Sequence, residues 1–292
     1  MWRSETMSCV EPMSSSARGE MRHDRNSAPY DLRAPVTENL DLGGGYFLTS
    51  LRAQRIASNI HPGQFVMVGT PDITQLLLRR PFSVCLVRTG PSGAEEVRLL
   101  YRIVGRGTAL LSALAPGTEL TVLGPLGKGF TDPTEGETPL MIAGGVGSAA
   151  FPFLLERFRE RGMPVVLCYG AKSAADLPML DWFRERGEVH VTTEDGSAGE
   201  CALVTAPVER LLSSGRRFHL YSCGPEPMLR AVARLAAARR LASEAALEAF
   251  MACGFGVCLG CVVEAARPAG EYGRFRRVCV EGPVFQTSEI RW

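Results

Sequence analysis

The sequence predicts a multidomain β plus α/β protein, with an antiparallel β-barrel, a parallel sheet covered by helices, and a cysteine-rich C-terminal segment. Short β-rich runs separated by glycine and proline come first, strand-helix alternation follows, and four closely spaced cysteines stand near the C-terminus. The chain has 292 residues, of which 46% are hydrophobic. This length and composition are sufficient for two compact domains with cores of their own.

Residues 1–28 are rich in Ser, Arg, Met and Glu and have no apolar periodicity, so we expect a disordered leader. The barrel is predicted over residues 29–135. Its β-rich runs, at a spacing typical of a small antiparallel barrel or sandwich, read YFLTSLRA, QFVMVGT, FSVCLVRT, VRLLYRIVG and ELTVLGPLG.

Strand-then-helix units fill residues 136–245, beginning with the strand PLMIAGG and the helix FPFLLERFRERG. The alternation ends with the strand FHLYSCG and a helix that runs to about Arg240. Such a pattern predicts a Rossmann-like parallel sheet, which binds ligands at the carboxyl ends of its strands. Residues 246–292 are predicted to form a separate cluster-binding segment.

The four C-terminal cysteines have the spacing Cys253-x4-Cys258-x2-Cys261, and Cys279 follows after 17 intervening residues. Three sulfurs on one tight loop and a fourth from a distant segment form the ligand pattern of a plant-type 2Fe-2S cluster. Structural zinc and simple buried thiols remain alternatives, although zinc usually takes two Cys-x2-4-Cys pairs and only one is present. A cluster of this kind moves single electrons.

The other cysteines show no pairing pattern, and no basic stretch leads into an apolar export signal. We therefore expect a reducing, cytoplasmic environment. Two of these cysteines, Cys85 and Cys168, lie in apolar runs and are predicted to be small core residues. The net charge of +1 and the lack of an apolar run near ~20 residues favour neither nucleic acid nor membrane as a partner.

Arg80-Pro81-Phe82-Ser83 opens a predicted barrel strand. The arginine can neutralise a pyrophosphate, the aromatic ring can stack on a flat ring, and the serine hydroxyl can bond a ring nitrogen. A surface arginine beside a core phenylalanine is the alternative. Further on, YRIVGRGT joins a strand to a Gly-x-Gly-Thr turn that offers N–H groups and a hydroxyl to a phosphate, or forms a plain hairpin turn.

Two turns follow strands of the α/β domain. The glycines of Gly144-Gly145-Val146-Gly147 allow a dinucleotide to approach a helix N-terminus, or allow close strand-helix packing. Cys223, followed by Gly-Pro, places a small thiol at a strand end, where it can lie against a nicotinamide ring without acting as a nucleophile. A buried structural cysteine is the alternative there.

These motifs occur in the order found in the ferredoxin-NADP reductase superfamily. Residues from about Tyr30 to Phe285 resemble more narrowly the electron-transfer subunits of NAD-linked dihydroorotate dehydrogenase. The resemblance implies the cofactors FAD, a 2Fe-2S cluster and NAD. It implies flavin contacts at Arg80, Pro81, Phe82, Ser83, Val104, Gly105, Gly107 and Thr108, pyridine-nucleotide contacts at Gly144, Gly145, Gly147, Cys223 and Gly224, and cluster ligands at Cys253, Cys258, Cys261 and Cys279.

The resemblance further implies a partner, the FMN-containing catalytic subunit that oxidises dihydroorotate to orotate in pyrimidine biosynthesis, within a heterotetramer. The chain itself is then an oxidoreductase subunit that requires this partner for the substrate half-reaction. Relatives commonly follow the GGxG turn with proline, whereas proline comes here only at Pro152. Glu194 and Asp195 follow a predicted strand and would repel the 2′-phosphate of NADP, unless both are ordinary surface acids.

Two other functions remain open. A related NAD(P)H oxidoreductase subunit that serves a hydrogenase, a sulfur reductase or ferredoxin would have the same motifs. A zinc-stabilised interaction module without flavin chemistry would instead be colourless.

Overall fold

The computed structural model describes residues 28–72, 76–91, 93–268 and 270–292. The predicted leader lies outside these ranges except for Ala28. The N-terminal unit contains β1 (Tyr30–Gly43), β2 (Tyr46–Arg52), α1 (Gln54–Ala57), β3 (Phe65–Gly69), β4 (Arg80–Ser83), β5 (Leu86–Gly90), β6 (Gly93–Arg102), α2 (Arg106–Ser112) and β7 (Glu119–Leu126).

In the described residues, the strands of this unit form one antiparallel sheet of order β4-β3-β7-β1-β2-β6-β5, curled into a half-barrel. The predicted barrel is thereby confirmed in its class, but the run FSVCLVRT is not one strand. The chain leaves β4 at Val84, and the Cys85 N–H donates to the Arg98 carbonyl 2.8 Å away. This switch is necessary because β4 and β5 stand at opposite ends of the sheet.

The second unit contains β8 (Thr138–Gly144), α3 (Pro152–Glu160), β9 (Val166–Ala171), α4 (Leu180–Arg184), β10 (Glu188–Thr193), β11 (Glu200–Cys201), α5 (Thr205–Leu212), β12 (Phe218–Cys223), α6 (Glu226–Arg239) and β13 (Ser243–Ala246). These strands are parallel, and the order β11-β10-β9-β8-β12-β13 confirms the predicted Rossmann-like sheet. A 3-10 turn at Gly145–Ala150 precedes α3, which begins at Pro152, the helix position that tolerates proline best.

The C-terminal segment contains β14 (Val262–Glu264), β15 (Phe275–Arg277), α7 (Val278–Glu281) and β16 (Val284–Gln286). The first two of these strands form a small hairpin, whereas β16 pairs antiparallel with β13 and so extends the sheet of the second unit. The segment is therefore joined to the α/β sheet through its last strand. Among the described residues, none of the helices has the length and apolar character needed to cross a bilayer.

Candidate functional site

Two adjoining cavities lie between the half-barrel and the α/β sheet. The first has a volume of about 460 Å³ and the second about 640 Å³, both within the usual size of small-molecule sites. Residues from both units line the two cavities in common, namely Arg102, Val104, Val146, Gly147 and Glu248. A molecule in one cavity therefore lies next to a molecule in the other.

The first cavity collects the residues that the barrel motifs single out. All eight of these residues form part of the cavity wall: Arg80, Pro81, Phe82, Ser83, Val104, Gly105, Gly107 and Thr108. They come from β4, from the segment that joins β6 to α2 and from the first turn of α2, and β4 and β6 are not neighbours in the sheet. The closure of the half-barrel is what brings them to one wall.

Two of these side chains are engaged within the protein. Phe82 is 8% exposed and packs edge-to-face on Tyr101 with a centroid distance of 5.4 Å, so most of its ring belongs to the barrel core. The Thr108 hydroxyl accepts from the N–H groups of Val104 and Gly105 at 2.9 and 3.2 Å. It therefore caps α2. The chain forms this helix and not the plain hairpin turn that was the alternative. Their predicted cofactor contacts stay predictions.

The second cavity opens between the two glycine-containing turns. Gly144, Gly145, Gly147 and Gly224 line it, and Gly147 also lines the first cavity together with Cys223. A Cβ on Gly144 would lie 2.6 Å from the Pro225 ring, whereas one on Gly145 would meet no atom within 4 Å. Close packing of the two turns thus accounts for Gly144, while Gly145 leaves open space beside the cavity.

Gly147→Ala tests this junction. The new Cβ would lie 2.7 Å from the Cys223 carbonyl carbon and 2.8 Å from the Gly224 Cα. Because backbone cannot move aside as a side chain does, we expect a loss of ~1–3 kcal/mol of unfolding free energy and at least about tenfold weaker NADH binding. Titration calorimetry and thermal unfolding measure the two effects.

Gly43→Ala is the control for glycine replacement alone. Gly43 has a φ of +81° but no atom within 4 Å of a Cβ, and it lies outside both cavities. It should lose stability through backbone strain and keep NADH affinity. Equal NADH affinity in both variants would contradict a nucleotide role for the junction.

Cys223 lines the first cavity, and Glu248 lines both cavities. Burial, and then the nearby Glu248 charge, raise the pKa of the Cys223 thiol, which is 4% exposed and therefore neutral. Burial also raises the pKa of the Glu248 carboxyl, although the open cavities leave that side chain accessible. Glu248 was not singled out from the sequence. Its position just after β13 was the available signal, because ligands bind at carboxyl ends of parallel strands.

The rim of the second cavity contains a polar bridge between the two units that the sequence motifs do not show. The Arg102 guanidinium lies 2.8 Å from the Asp176 carboxylate, and the Tyr46 hydroxyl donates to the same carboxylate at 3.2 Å. Lys172 and Glu194 line the same cavity at the ends of β9 and β10, whereas Asp195 does not. Of the two predicted acids, only Glu194 lines this cavity.

The cysteine loop directs backbone N–H groups at its sulfurs. Burial alone would raise the pKa of Cys253, but N–H groups of Cys258, Phe255 and Val257 donate to its sulfur, and they lower the pKa to about 6. The Gly260 N–H lies 3.5 Å from the Cys258 sulfur. Gly254 and Gly256 have φ values of +81° and +92°, which L side chains rarely adopt. The loop is thus shaped to stabilise thiolate charge.

The fourth cysteine reaches this loop from α7. Burial raises the pKa of Cys279 to about 12, and the adjacent sulfurs of Cys261 and Cys253 add to the effect. Cys261 and Cys279 are 3% and 2% exposed, whereas Cys258 is at the surface. The structure therefore brings the predicted ligands together, with a buried side and a surface side.

The donor set fits a two-iron cluster. In the described part of the chain, no three His, Cys, Asp or Glu side chains meet as they would around one metal ion. The four cysteine sulfurs match a 2Fe-2S cluster in kind and number, since such a cluster shares four thiolates between two irons. The backbone N–H groups that point at the Cys253 and Cys258 sulfurs would also stabilise the negative charge of such a cluster.

The remaining described cysteines lie away from this loop. Cys85 and Cys168 are fully buried, and burial raises the pKa of each to about 12, which confirms them as core residues. Cys201 is exposed on β11. Cys9 lies outside the described residues.

Comparisons with known proteins agree with this geometry. Residues 248–291 match the iron-sulfur cluster binding domain of dihydroorotate dehydrogenase B. The chain is 35% identical over 260 residues to the dihydroorotate dehydrogenase B (NAD(+)) electron transfer subunit of Shouchella clausii, covering 88% of this chain and 97% of that relative. The corresponding subunit of Bacillus caldolyticus is 38% identical over 234 residues, with 78% and 86% covered.

Among solved structures, the NADH-dependent reduced ferredoxin-NADP oxidoreductase studied for flavin-based electron bifurcation superposes with a TM-score of 0.74. It is 27% identical, and the alignment covers 89% of this chain and 90% of that one. The half-barrel, the Rossmann-like sheet and the C-terminal segment are therefore found together in a protein of known structure.

Proposed function

Since the chain belongs to the family of dihydroorotate dehydrogenase B electron transfer subunits, we propose that it passes electrons between a catalytic partner subunit and NAD through a 2Fe-2S cluster and FAD. One observation carries the proposal. The second cavity, the first cavity and the cysteine loop follow one another across the molecule, and each adjoining pair shares residues or packing. A nucleotide, a flavin and a cluster fit this series in that order.

The residues of the chain hold and orient these groups. Arg80 and Ser83 face the first cavity, where a guanidinium can bind the flavin pyrophosphate and a hydroxyl can bond a ring nitrogen. When bound, FAD exchanges a hydride with nicotinamide and single electrons with the cluster, so it joins a two-electron carrier to a one-electron carrier. The neutral Cys223 thiol lines the first cavity close to Gly147, which lines both cavities, and its small size leaves room for the nicotinamide ring beside the flavin.

The catalytic partner is proposed to dock on the surface side of the cysteine loop. Large apolar side chains are exposed there: Phe250, Phe255, Val257, Leu259, Val262, Phe275 and Val280. The basic run Arg274 to Arg277 contributes less, because Arg274 pairs with Glu264, and Arg277 pairs with Glu271 and Glu281. An FMN subunit that buries this apolar surface would bring its own electrons close to the exposed Cys258. We propose a heterotetramer as the assembly.

The choice of nucleotide is assigned to Glu194. A carboxylate on the cavity wall just after β10 repels a 2′-phosphate, so the site is proposed to prefer NADH over NADPH. Glu194→Lys should raise kcat/KM for NADPH relative to NADH by about tenfold, which corresponds to ~1.4 kcal/mol. Asp195→Lys is the matched control, since Asp195 does not line the cavity. An equal shift in both variants would mean that only the net charge matters.

The proposal is tested on the purified chain and on the complex. Iron, sulfide, zinc and flavin are quantified, and an anaerobic visible spectrum is recorded before and after NADH. We expect iron and sulfide at about two each per chain. We also expect flavin and cluster absorption bands that NADH bleaches. Coexpression with the FMN subunit should then give dihydroorotate-dependent reduction of NAD⁺. Zinc without flavin would instead establish the interaction module.

A second function is favoured by the structural comparison with the NADH-dependent ferredoxin-NADP oxidoreductase. A related NAD(P)H oxidoreductase subunit would contain the same cofactors and serve a different partner, such as ferredoxin. The coexpression experiment separates the two. A flavin- and iron-loaded chain that forms no complex with the FMN subunit, but reduces ferredoxin from NADH, would establish the second function.

A further inference from the structure

Strand β3 separates the barrel core from the cysteine segment. Its side chains alternate, so Val66 and Val68 pack in the barrel core, while Phe65 and Met67 point to the opposite side. On that side they join an apolar cluster that contains Cys261 and Cys279. One strand thus has the flavin-binding barrel on one face and the two buried cysteines on the other.

Phe65 stands at the end of β3 that borders the first cavity. It lines this cavity, its backbone pairs with Ser83 of the cavity wall, and it is 3% exposed. Met251, two residues before Cys253, lines the same cavity and packs on the same apolar cluster. These two side chains therefore contact the cavity and also pack in the cluster around the buried cysteines, as do Leu247 and Ala249.

The neighbouring segments pack closely on Met67 and Phe65. A Cβ on Gly254 would lie 2.8 Å from the Met67 sulfur, so the cysteine loop rests directly on β3. A Cβ on Gly127 would lie 3.0 Å from the Phe65 ring. Backbone thus lies against two side chains of β3 that belong to this apolar cluster.

We propose that Phe65 and Met251 form an apolar partition, one side chain thick, which sets the distance that electrons cross between the first cavity and Cys261 and Cys279, and which excludes water from that gap. This inference rests on the proposed function. Oxidation of one dihydroorotate releases two electrons and two protons. The electrons cross the partition singly and leave with one proton as the hydride of NADH, while the other proton goes to solvent. No bond forms or breaks in the partition itself.

Phe65→Ala tests the partition, and Phe285→Ala is its matched control. Phe285 belongs to the same apolar cluster, is 4% exposed and lies outside both cavities, so the same atoms are removed from the same core. Stopped-flow mixing with NADH follows flavin bleaching and cluster bleaching separately. Release of iron to a chelator, measured without NADH, reports water access without any turnover.

In Phe65→Ala, we expect cluster bleaching to become about tenfold slower relative to flavin bleaching and iron release to become about tenfold faster, as for other losses of an apolar shell around a metal site. Phe65→Leu should restore most of the cluster bleaching rate and most of the resistance to iron release. Phe285→Ala should match the wild type in the ratio of the two bleaching rates and in iron release. Met251→Ala, at a half-buried position, should shift both in the same direction and serves if Phe65→Ala does not fold.

Two results would overturn the partition. Equal changes in Phe65→Ala and Phe285→Ala would mean general loss of packing, and wild-type behaviour of Phe65→Ala and Met251→Ala would mean that neither side chain sets the gap. Failure of the proposed function is distinguishable, because wild-type protein without flavin or iron would be seen before any variant is compared.

Discussion

Replacing Cys258 with serine is expected to abolish dihydroorotate-dependent reduction of NAD⁺ while NADH-to-dye reduction stays largely intact. Iron-sulfur clusters are held by thiolates, and a serine oxygen is a poor substitute. Cys258 lies on the exposed side of the loop, away from the first cavity, so its loss leaves the flavin and nucleotide walls unchanged. Iron and sulfide analysis, flavin content and the two activities are measured on the same preparation of the complex.

Cys201→Ser is the control for this experiment. Cys201 is also an exposed cysteine, but it lies on β11 and outside the cysteine loop. We expect it to keep iron, flavin and both activities. Equal loss of dye reduction and dihydroorotate-dependent reduction in Cys258→Ser would contradict a separate flavin site and cluster site.

Replacing Arg80 with glutamine is expected to weaken FAD binding about 10- to 100-fold, because a hydrogen bond to a charged group contributes ~1.5–3 kcal/mol. Arg80 is half-buried on the wall of the first cavity, and it donates to the Leu78 carbonyl at 3.0 Å. Glutamine keeps a polar side chain there and removes the charge that pairs with a pyrophosphate. Flavin retained after dialysis and the FAD dissociation constant from flavin fluorescence are the measurements.

The neighbouring arginine provides the matched control. Arg79 lies outside the first cavity and pairs with Asp31 at 2.8 Å. Arg79→Gln makes the same change of charge one residue away, and its exposed ion pair contributes little to stability. We expect normal FAD affinity. If both variants lost flavin equally, the effect would come from net charge or folding, and Arg80 would lose its role as a pyrophosphate ligand.

Much of the fold follows from local patterns. Strand-helix alternation after Thr138 predicts the parallel sheet because crossover helices are the usual way to join parallel strands. The chain also shows where such reasoning fails. FSVCLVRT reads as one strand by propensity, yet it bends at Val84 to carry the chain from one end of the sheet to the other. That bend depends on the closure of the half-barrel.

The candidate site divides in the same way. Motif residues such as Arg80 and Gly145 were predictable from the sequence, because an arginine always has a charge that can bind a phosphate and a glycine always leaves its backbone open. Glu248 and Phe65 have no such local signature. They became site residues only because β13 ends, and β3 begins, beside the cavities. Thr108 shows the converse, since its hydroxyl caps α2 and is already engaged.

The sequence by itself determined the order of the units and the four cysteines that can hold a cluster, because spacing along one loop and alternation of short elements are local properties. The tertiary structure alone decided that the two cavities adjoin, that Glu248 borders both, and that Phe65 lines the first cavity while it packs in the apolar cluster that contains Cys261. The physical reason is distance along the chain. Residues more than a hundred positions apart meet only when the sheets close and the C-terminal segment packs on β3.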